Sequence, residues 1–163
     1  ITNLTEGVFS GLSGLRDLRL GNNQLTSIPV GVFSDLSALT LLSVADNQLT
    51  NLASGVFSGL RGLQSLYIDR NQPLTSIAAG VFFGLSKLQE LGLTYTQLTS
   101  LPEGIFSELS GLVYLWIAYN QLTSLPAGIL TGLSSLQELH LESNRLTCIS
   151  SKAFIGLSAL RNL

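Results

Sequence analysis

The feature that most constrains this chain is a period of 24 residues that runs from one end of the sequence to the other. Asn and Phe recur in the same phase as the leucines, and one step is 25 residues long. The leucine series is Leu15, Leu39, Leu63, Leu88, Leu112, Leu136 and Leu160. The repeated unit reads L-x-x-L-x-L-x-x-N-x-L-T-x-L-P-x-G-x-F-x-x-L-x-x. A fixed period of this length indicates stacked structural coils rather than a conventional globular arrangement.

The unit itself predicts how each coil is built. The L-x-L alternation is typical of a short strand with one buried face. The Asn falls in the turn that leaves the strand, where its side chain can bond unpaired backbone groups. A single coil cannot bury its leucines and Phe, whereas stacked coils form one continuous core and a parallel sheet. We therefore predict a single domain over residues 1–163 with about seven coils.

The segment Asn120–Ile129, with the sequence NQLTSLPAGI, carries a clear family resemblance. The unit resembles the typical 24-residue leucine-rich repeat of animal extracellular proteins, and this segment is similar to repeats of the variable lymphocyte receptors of jawless vertebrates. The resemblance implies an α/β, right-handed solenoid with a concave parallel β-sheet and a mostly irregular or short helical convex side. It also implies ligand binding on the concave face and an extracellular location, secreted or on the cell surface. Those receptors carry Cys-rich caps at both ends, and this sequence shows neither.

One coil departs from the pattern in two places. Pro73 is the additional residue of the 25-residue repeat, and Thr96 stands where the other coils have the ladder Asn. We expect the stack to be least regular between Asn71 and Thr96. The departure is interpreted as a tolerated bulge, with a functional hinge as the alternative.

Function is indicated by the positions that vary between copies of the unit. Four outward positions around each of six strands contain all four Tyr, the only Trp and the only His, whereas every Phe lies on the convex side. Exposed Tyr and Trp combine apolar area with a polar group, which is the composition of binding hot spots. The alternative is that these rings only stiffen the sheet by cross-strand packing.

Adjacent strands lie about 4.8 Å apart, so residues one repeat apart are neighbours. Gly92 is expected to leave a gap about two strand spacings wide between Tyr67 and Trp116, walled by Tyr95 and Tyr119. We interpret this gap as a shallow aromatic pocket with a polar rim. The predicted ligand-binding residues are Tyr67, Asp69, Arg70, Glu90, Gly92, Tyr95, Tyr114, Trp116, Tyr119, Glu138 and His140.

Composition excludes several classes of function at this stage. The net charge is −2 and no basic cluster is present, which argues against a nucleic-acid partner because phosphate binding needs clustered Lys and Arg. No apolar run reaches the roughly 18 to 20 residues of a membrane span. The one His and the one Cys fall on different faces of the coil, and there is no glycine-rich phosphate loop. We therefore predict no catalytic residues and no cofactor.

Glu138, His140 and Glu142 alternate along one strand and form the only candidate metal site. His and carboxylate groups are suitable ligands for a divalent ion. Spread along one strand, however, the three groups span about 13 Å and are not expected to converge on one ion. We predict an acidic patch and no metal site.

The resulting hypothesis is non-catalytic recognition of a protein or glycan ligand by the concave face, and the resemblance adds an immune-receptor role in antigen or pathogen recognition. The alternative is a structural module that forms a homodimer through apolar, uncapped solenoid ends. An engineered scaffold is disfavoured by the irregular Pro73, Thr96 and Leu130. An enzyme fits the sequence least.

Overall fold

The computed structural model describes all residues 1–163, which form eight short strands and no helix. The strands are β1 (Asp17–Arg19), β2 (Leu41–Ser43), β3 (Asn51–Leu52), β4 (Ser65–Tyr67), β5 (Ser76–Ile77), β6 (Glu90–Gly92), β7 (Tyr114–Trp116) and β8 (Glu138–His140). With no helix present, nothing in the structure is a candidate membrane-spanning helix.

Six of the strands form one parallel sheet in the order β1-β2-β4-β6-β7-β8. Its register follows the sequence period, so that Leu42 pairs with Leu66 and Leu91 pairs with Leu115. A backbone bridge from Glu138 to Asn162 continues the pairing into the next coil. The predicted parallel solenoid is confirmed, and its convex side consists of turns and irregular segments. A second, two-stranded sheet pairs β3 with β5.

The core runs uninterrupted through the stack as one cluster of 41 buried apolar residues. On the side opposite the six-stranded sheet, phenylalanine rings from successive coils stack with centroids 5.9 to 6.4 Å apart. These rings are Phe9, Phe33, Phe57, Phe82 and Phe106, and the buried Leu130 takes the same place in the following coil. Each coil therefore buries its Phe only because its neighbours do the same.

The ladder asparagines connect neighbouring coils, as Asn47 shows. Its Oδ1 accepts a hydrogen bond from the backbone N–H of Leu25 at 2.9 Å. Its Nδ2 donates to the carbonyls of Leu20 and Val44 at 2.9 and 3.0 Å. The amide is buried, and both of its ends are satisfied by backbone groups of two coils. Such bonds keep adjacent strands in register, because an unpaired buried polar group would be costly.

The coil between Asn71 and Thr96 is the irregular one, as expected, and the structure shows why it is tolerated. In other coils, the N–H two residues after the ladder Asn donates to the Asn side chain of the next coil, as Leu49 does to Asn71. Leu74 instead donates to the carbonyl of Asn71 in its own coil at 2.9 Å, across a turn that contains Pro73. The Leu74 N–H is thus paired within its own coil. It does not need the side-chain carbonyl that Thr96 lacks.

Candidate ligand-binding face

The outward side of the six-stranded sheet carries the residues selected from the sequence. In β4, β7 and β8 the middle Leu is buried and the residues on either side are half-buried. This alternation directs one side chain of every strand into the core and its neighbours onto the concave surface. All the predicted Tyr, the Trp and the His lie on this surface or along its edge.

Three aromatic residues form a central aromatic cluster, which we define as Tyr67, Tyr114 and Trp116. The rings of Tyr114 and Trp116 are parallel, with an interplanar angle of 3° and centroids 5.6 Å apart. Tyr67 lies 6.5 Å from Trp116 at an angle of 31°. Since all three residues are only half-buried, the cluster presents a broad aromatic surface to solvent.

The predicted pocket above Gly92 is not present in the form expected. The rings of Tyr67 and Trp116 approach to 6.5 Å across the strand that contains Gly92, closer than the two strand spacings, about 9.6 Å, that separate their backbones. A β-carbon at Gly92 would lie 2.2 Å from Oδ2 of Asp69, so the Asp69 carboxylate occupies the space. Asp69 therefore fills the gap instead of forming part of its rim. Both residues stay predictions as ligand contacts.

Asp69 is held in this position by the neighbouring coil. Its Oδ1 accepts a hydrogen bond from the backbone N–H of Thr94 at 2.8 Å. Loss of hydration raises the pKa of the Asp69 carboxyl above its ordinary value, although the bond from Thr94 opposes that rise. Burial raises the pKa because it penalises the charged form of a carboxyl group.

Glu90 holds Tyr67 in its place on the sheet. The Tyr67 hydroxyl donates a hydrogen bond to the Glu90 carboxylate. Burial, followed by this bond to Glu90, raises the pKa of Tyr67 to about 12. The hydroxyl is therefore protonated at neutral pH and orients the ring by donating to Glu90.

A second group follows one edge of the concave face, and we call Asp46, Arg70, Tyr95 and Tyr119 the rim row. Tyr95 and Tyr119 stack with centroids 4.2 Å apart and an interplanar angle of 10°. The Arg70 guanidinium lies 5.7 Å from the centroid of Tyr95 and 4.0 Å from the Asp46 carboxylate. A carboxylate, a guanidinium and two aromatic rings therefore form one continuous line across four coils. The two tyrosines stack on each other instead of walling an open gap.

Sequence reasoning missed the backbone geometry that creates this row. The residue before each ladder position has a φ of 54 to 57° in six successive coils: Asn22, Asp46, Arg70, Tyr95, Tyr119 and Ser143. A positive φ is uncommon for any residue except Gly and is least unfavourable for Asn and Asp. The sequence signal for this conformation was the presence of Asn22 and Asp46 at the repeated position. Asp46 itself was absent from the predicted site.

At the C-terminal end of the face, His140 lies between two carboxylates. Its Nε2 is 3.5 Å from Oε2 of Glu138, and its Nδ1 is 3.6 Å from Oε1 of Glu142. The side chains thus bridge the spacing that was expected to keep them apart. Because the two carboxylates meet opposite nitrogens of the ring, the three groups do not surround a common point for a metal ion. Glu142 was also missing from the predicted set.

Comparisons with known proteins give the repeat class and two structural relatives. The sequence profile described as "Leucine rich repeat" matches residues 1–49, 14–72, 61–122 and 111–163. The solved TLR13–ssRNA13 complex superposes with a TM-score of 0.90 and 31% identity, covering 100% of this chain and 24% of that chain. The Toll–Spatzle complex of Drosophila gives a TM-score of 0.66 and 23% identity, covering 100% of this chain and 28% of that chain. No curated protein sequence matches significantly.

These matches correct the expectation about nucleic acid, and they support the family resemblance only at the level of leucine-rich repeats. The argument against nucleic acid as a partner is wrong, because a chain 31% identical over the whole of this one is solved in complex with single-stranded RNA. Both structures are of Toll-type proteins, and neither of the two bears on the finer resemblance to variable lymphocyte receptors. The chain spans about a quarter of the length of both solved chains.

Proposed function

The chain belongs to the leucine-rich repeat family, and on that premise we propose that its concave face is a recognition surface for a protein or glycan ligand. The role is that of an immune-type receptor segment acting outside the cell. The binding residues are those of the central aromatic cluster and the rim row, with Glu90, Glu138 and His140 around them. Asp69 and Gly92 support the cluster from beneath.

The observation that carries this proposal is the extent of exposed aromatic surface on the sheet. Tyr95 is 41% exposed and Tyr119 is 43% exposed, whereas the aromatic rings of the core are all Phe. Rings on β4 and β7 contact one another across β6, and the two rings along the adjoining edge stack on each other. An exposed apolar patch of this kind lowers solubility and usually marks an interaction site.

The relatives support recognition in general without identifying the ligand. Leucine-rich repeat proteins are generally non-catalytic, and the matched structure at 31% identity is a receptor in complex with its ligand. The Drosophila structure, at 23% identity, supports the shared fold alone. Tyr and Trp beside carboxylates suit both protein epitopes and sugar rings, because each ring offers an apolar face and a polar group.

The proposal is tested by screening the chain against arrays of extracellular proteins, microbial glycans and single-stranded RNA. The test variant is Trp116→Ala with Tyr119→Ala. The matched control is Phe83→Ala, which removes an aromatic ring that is 69% exposed on the convex side. Circular dichroism and the unfolding midpoint show whether each variant keeps the fold.

We expect a ligand that binds the unchanged chain and the Phe83→Ala control but loses at least tenfold in affinity with the double variant, about 1.4 kcal/mol. Equal binding by all three chains would contradict the proposal, as would the absence of any ligand. The RNA array decides whether the ligand belongs to the class that the sequence wrongly excluded.

The homodimer through the solenoid ends also stays a prediction. A solution mass measured across a range of concentrations tests it. A dimer that Leu163→Asp or Leu160→Asp dissociates would support it, whereas a monomer at all concentrations would reject it.

A further inference from the structure

We propose that the C-terminal half of the concave face binds an arginine side chain of a basic protein segment, seated on the ring of Tyr119 beside the carboxylate of Glu142, with Glu138 adding negative charge to the same end of the face. The inference rests on the proposed function and adds the chemistry of the ligand. It follows from the charge of the face, from how that charge is paired, and from an Arg–Tyr contact already present within the chain.

The charge of the chain is distributed unevenly between its faces. Eight charged residues lie in the outward positions around the strands, two basic and six acidic, which gives a formal charge of −4 against −2 for the whole chain. They are Asp17, Arg19, Asp46, Asp69, Arg70, Glu90, Glu138 and Glu142. The remaining surface is therefore positive on balance. A negative face attracts a positive partner during encounter and orients it.

Pairing leaves the excess of negative charge in the central and C-terminal coils, on Asp69, Glu90, Glu138 and Glu142. Arg19 makes two hydrogen bonds to the Asp17 carboxylate, at 3.1 and 3.0 Å. Arg70 lies beside Asp46. Both basic residues of the face thus have an acidic neighbour in the N-terminal half.

Glu138 and Glu142 have no Lys or Arg partner. Glu138 accepts a hydrogen bond from Asn162 at 3.0 Å, and both carboxylates flank His140. The Glu142 side chain is 54% exposed, and the Glu138 side chain is 32% exposed. Solvent-facing carboxylates that share one imidazole retain acceptor capacity for an incoming donor, because each carboxylate can accept several hydrogen bonds.

The rim row shows how a guanidinium sits on this surface. Arg70 covers one end of the Tyr95–Tyr119 stack at 5.7 Å from the Tyr95 ring. At the other end, the next coil places Ser143 in the equivalent position with the same backbone conformation. Ser143 is exposed and too small to cover a ring, so neither an aromatic ring nor a guanidinium covers the second face of Tyr119.

Arginine fits this place better than any other side chain. A guanidinium stacks on a tyrosine ring and donates in a planar fork to carboxylates. Here Tyr119 supplies the ring, and Glu142 immediately precedes Ser143 on the adjacent coil. Lysine offers a compact charge without the stacking plane. The occupant is therefore an arginine-bearing, basic segment of a protein.

The test uses acetylated and amidated peptides of four arginines, four lysines or four glutamates as probes. Trp116 is the only Trp and lies on the same face, so its fluorescence reports binding, and calorimetry gives Kd. We expect the arginine peptide to bind tighter than the lysine peptide and the glutamate peptide not to bind. Binding of the arginine peptide should weaken at high salt.

Two variants locate the site. Glu138→Gln with Glu142→Gln should raise Kd for the arginine peptide about three- to tenfold. The matched control, Glu103→Gln with Glu108→Gln, makes the same change of charge at exposed positions outside the face and should leave Kd within about twofold. Tyr119→Ala should reduce the preference for arginine over lysine, whereas Tyr119→Phe should retain it, because the ring face is preserved.

The proposal is overturned if the glutamate peptide binds as well as the arginine peptide, if the control pair weakens binding as much as the test pair, or if arginine and lysine peptides bind equally. The array screen separates this failure from failure of the proposed function. Suppose that a ligand loses affinity with the Trp116 and Tyr119 substitutions but keeps its affinity with the Glu138 and Glu142 substitutions. That result would support the recognition surface and reject only the arginine site.

Discussion

Gly92 and Asp69 show how a single side chain determines the shape of the concave face. A glycine in a column of larger residues suggests an opening, but the space above a glycine is available to any neighbour that can reach it. Asp69 reaches it from the adjacent coil and is fastened there by the N–H of Thr94. The aromatic cluster therefore stands on a filled base and acts as a surface instead of a cavity.

Gly92→Ala should destabilise the fold by about 1–3 kcal/mol, because the new methyl group overlaps the Asp69 carboxylate and displaces it from Thr94. Urea unfolding followed by circular dichroism measures the change. In a background of Asp69→Ala, which vacates the space, the added cost of Gly92→Ala should fall below about 0.5 kcal/mol. Additive effects of the two substitutions would show that Asp69 does not occupy the place above Gly92.

Asp69 also predicts a dependence of stability on pH. Its pKa in the folded protein is raised above the ordinary value of 3.8, so on acidification the folded state binds this proton before the unfolded state does. Folding therefore gains stability from Asp69 as the pH falls through the raised pKa towards 3.8, and loses it again as the pH rises.

The variant Asp69→Asn should lack this contribution, and its stability relative to the unchanged chain should be greatest near neutral pH. Urea unfolding of both chains at intervals from pH 7 to pH 4 gives the difference. A difference that is constant with pH would contradict the raised pKa. Glu103→Gln serves as the control for loss of an exposed carboxylate.

The irregular coil between Asn71 and Thr96 shows two sequence departures that compensate for each other. The inserted Pro73 makes a turn in which the Leu74 N–H bonds the carbonyl of Asn71. In regular coils, that donor needs the Asn side chain of the next coil, which Thr96 cannot provide. The loss of Asn is therefore permitted by the insertion.

Deleting Pro73 alone should cost about 1–3 kcal/mol, because the Leu74 N–H then lacks a partner in the buried turn. Adding Thr96→Asn to the deletion should recover most of that loss, since it restores the regular ladder. Thr96→Asn alone should stabilise little. Thermal unfolding of the four chains forms a double-mutant cycle, and a coupling energy near zero would show that the two departures are independent.

The sequence period was sufficient to predict the register of this architecture but not the detail of its surface. The position of every strand in the large sheet follows from the leucine spacing, because only one phase buries the leucines. The stacking of Tyr95 on Tyr119 and the direction of the Asp69 side chain depend on side-chain torsions and on residues with a left-handed backbone conformation. Several torsions are sterically acceptable at an exposed position, so the repeat pattern does not select among them.

The whole molecule separates its aromatic residues into two populations. Phe rings stack inside the convex side and stabilise the coils, whereas Tyr and Trp lie on the sheet and along its rim. Phe83 is the only exposed Phe. It follows the buried Phe82 directly but is 69% exposed, at a position where other coils have Ser34, Ser58 and Ser107.

This adjacent pair tests whether stability resides in the ring stack or in convex aromatic surface generally. Phe82→Ala should cost about 3–5 kcal/mol, because it opens a cavity between the rings of Phe57 and Phe106. Phe83→Ala should change stability by less than about 0.5 kcal/mol, since an exposed ring gives up little burial. Chemical denaturation of both variants measures the contrast. Similar losses would mean that Phe83 is covered in solution and that the convex side has a partner of its own.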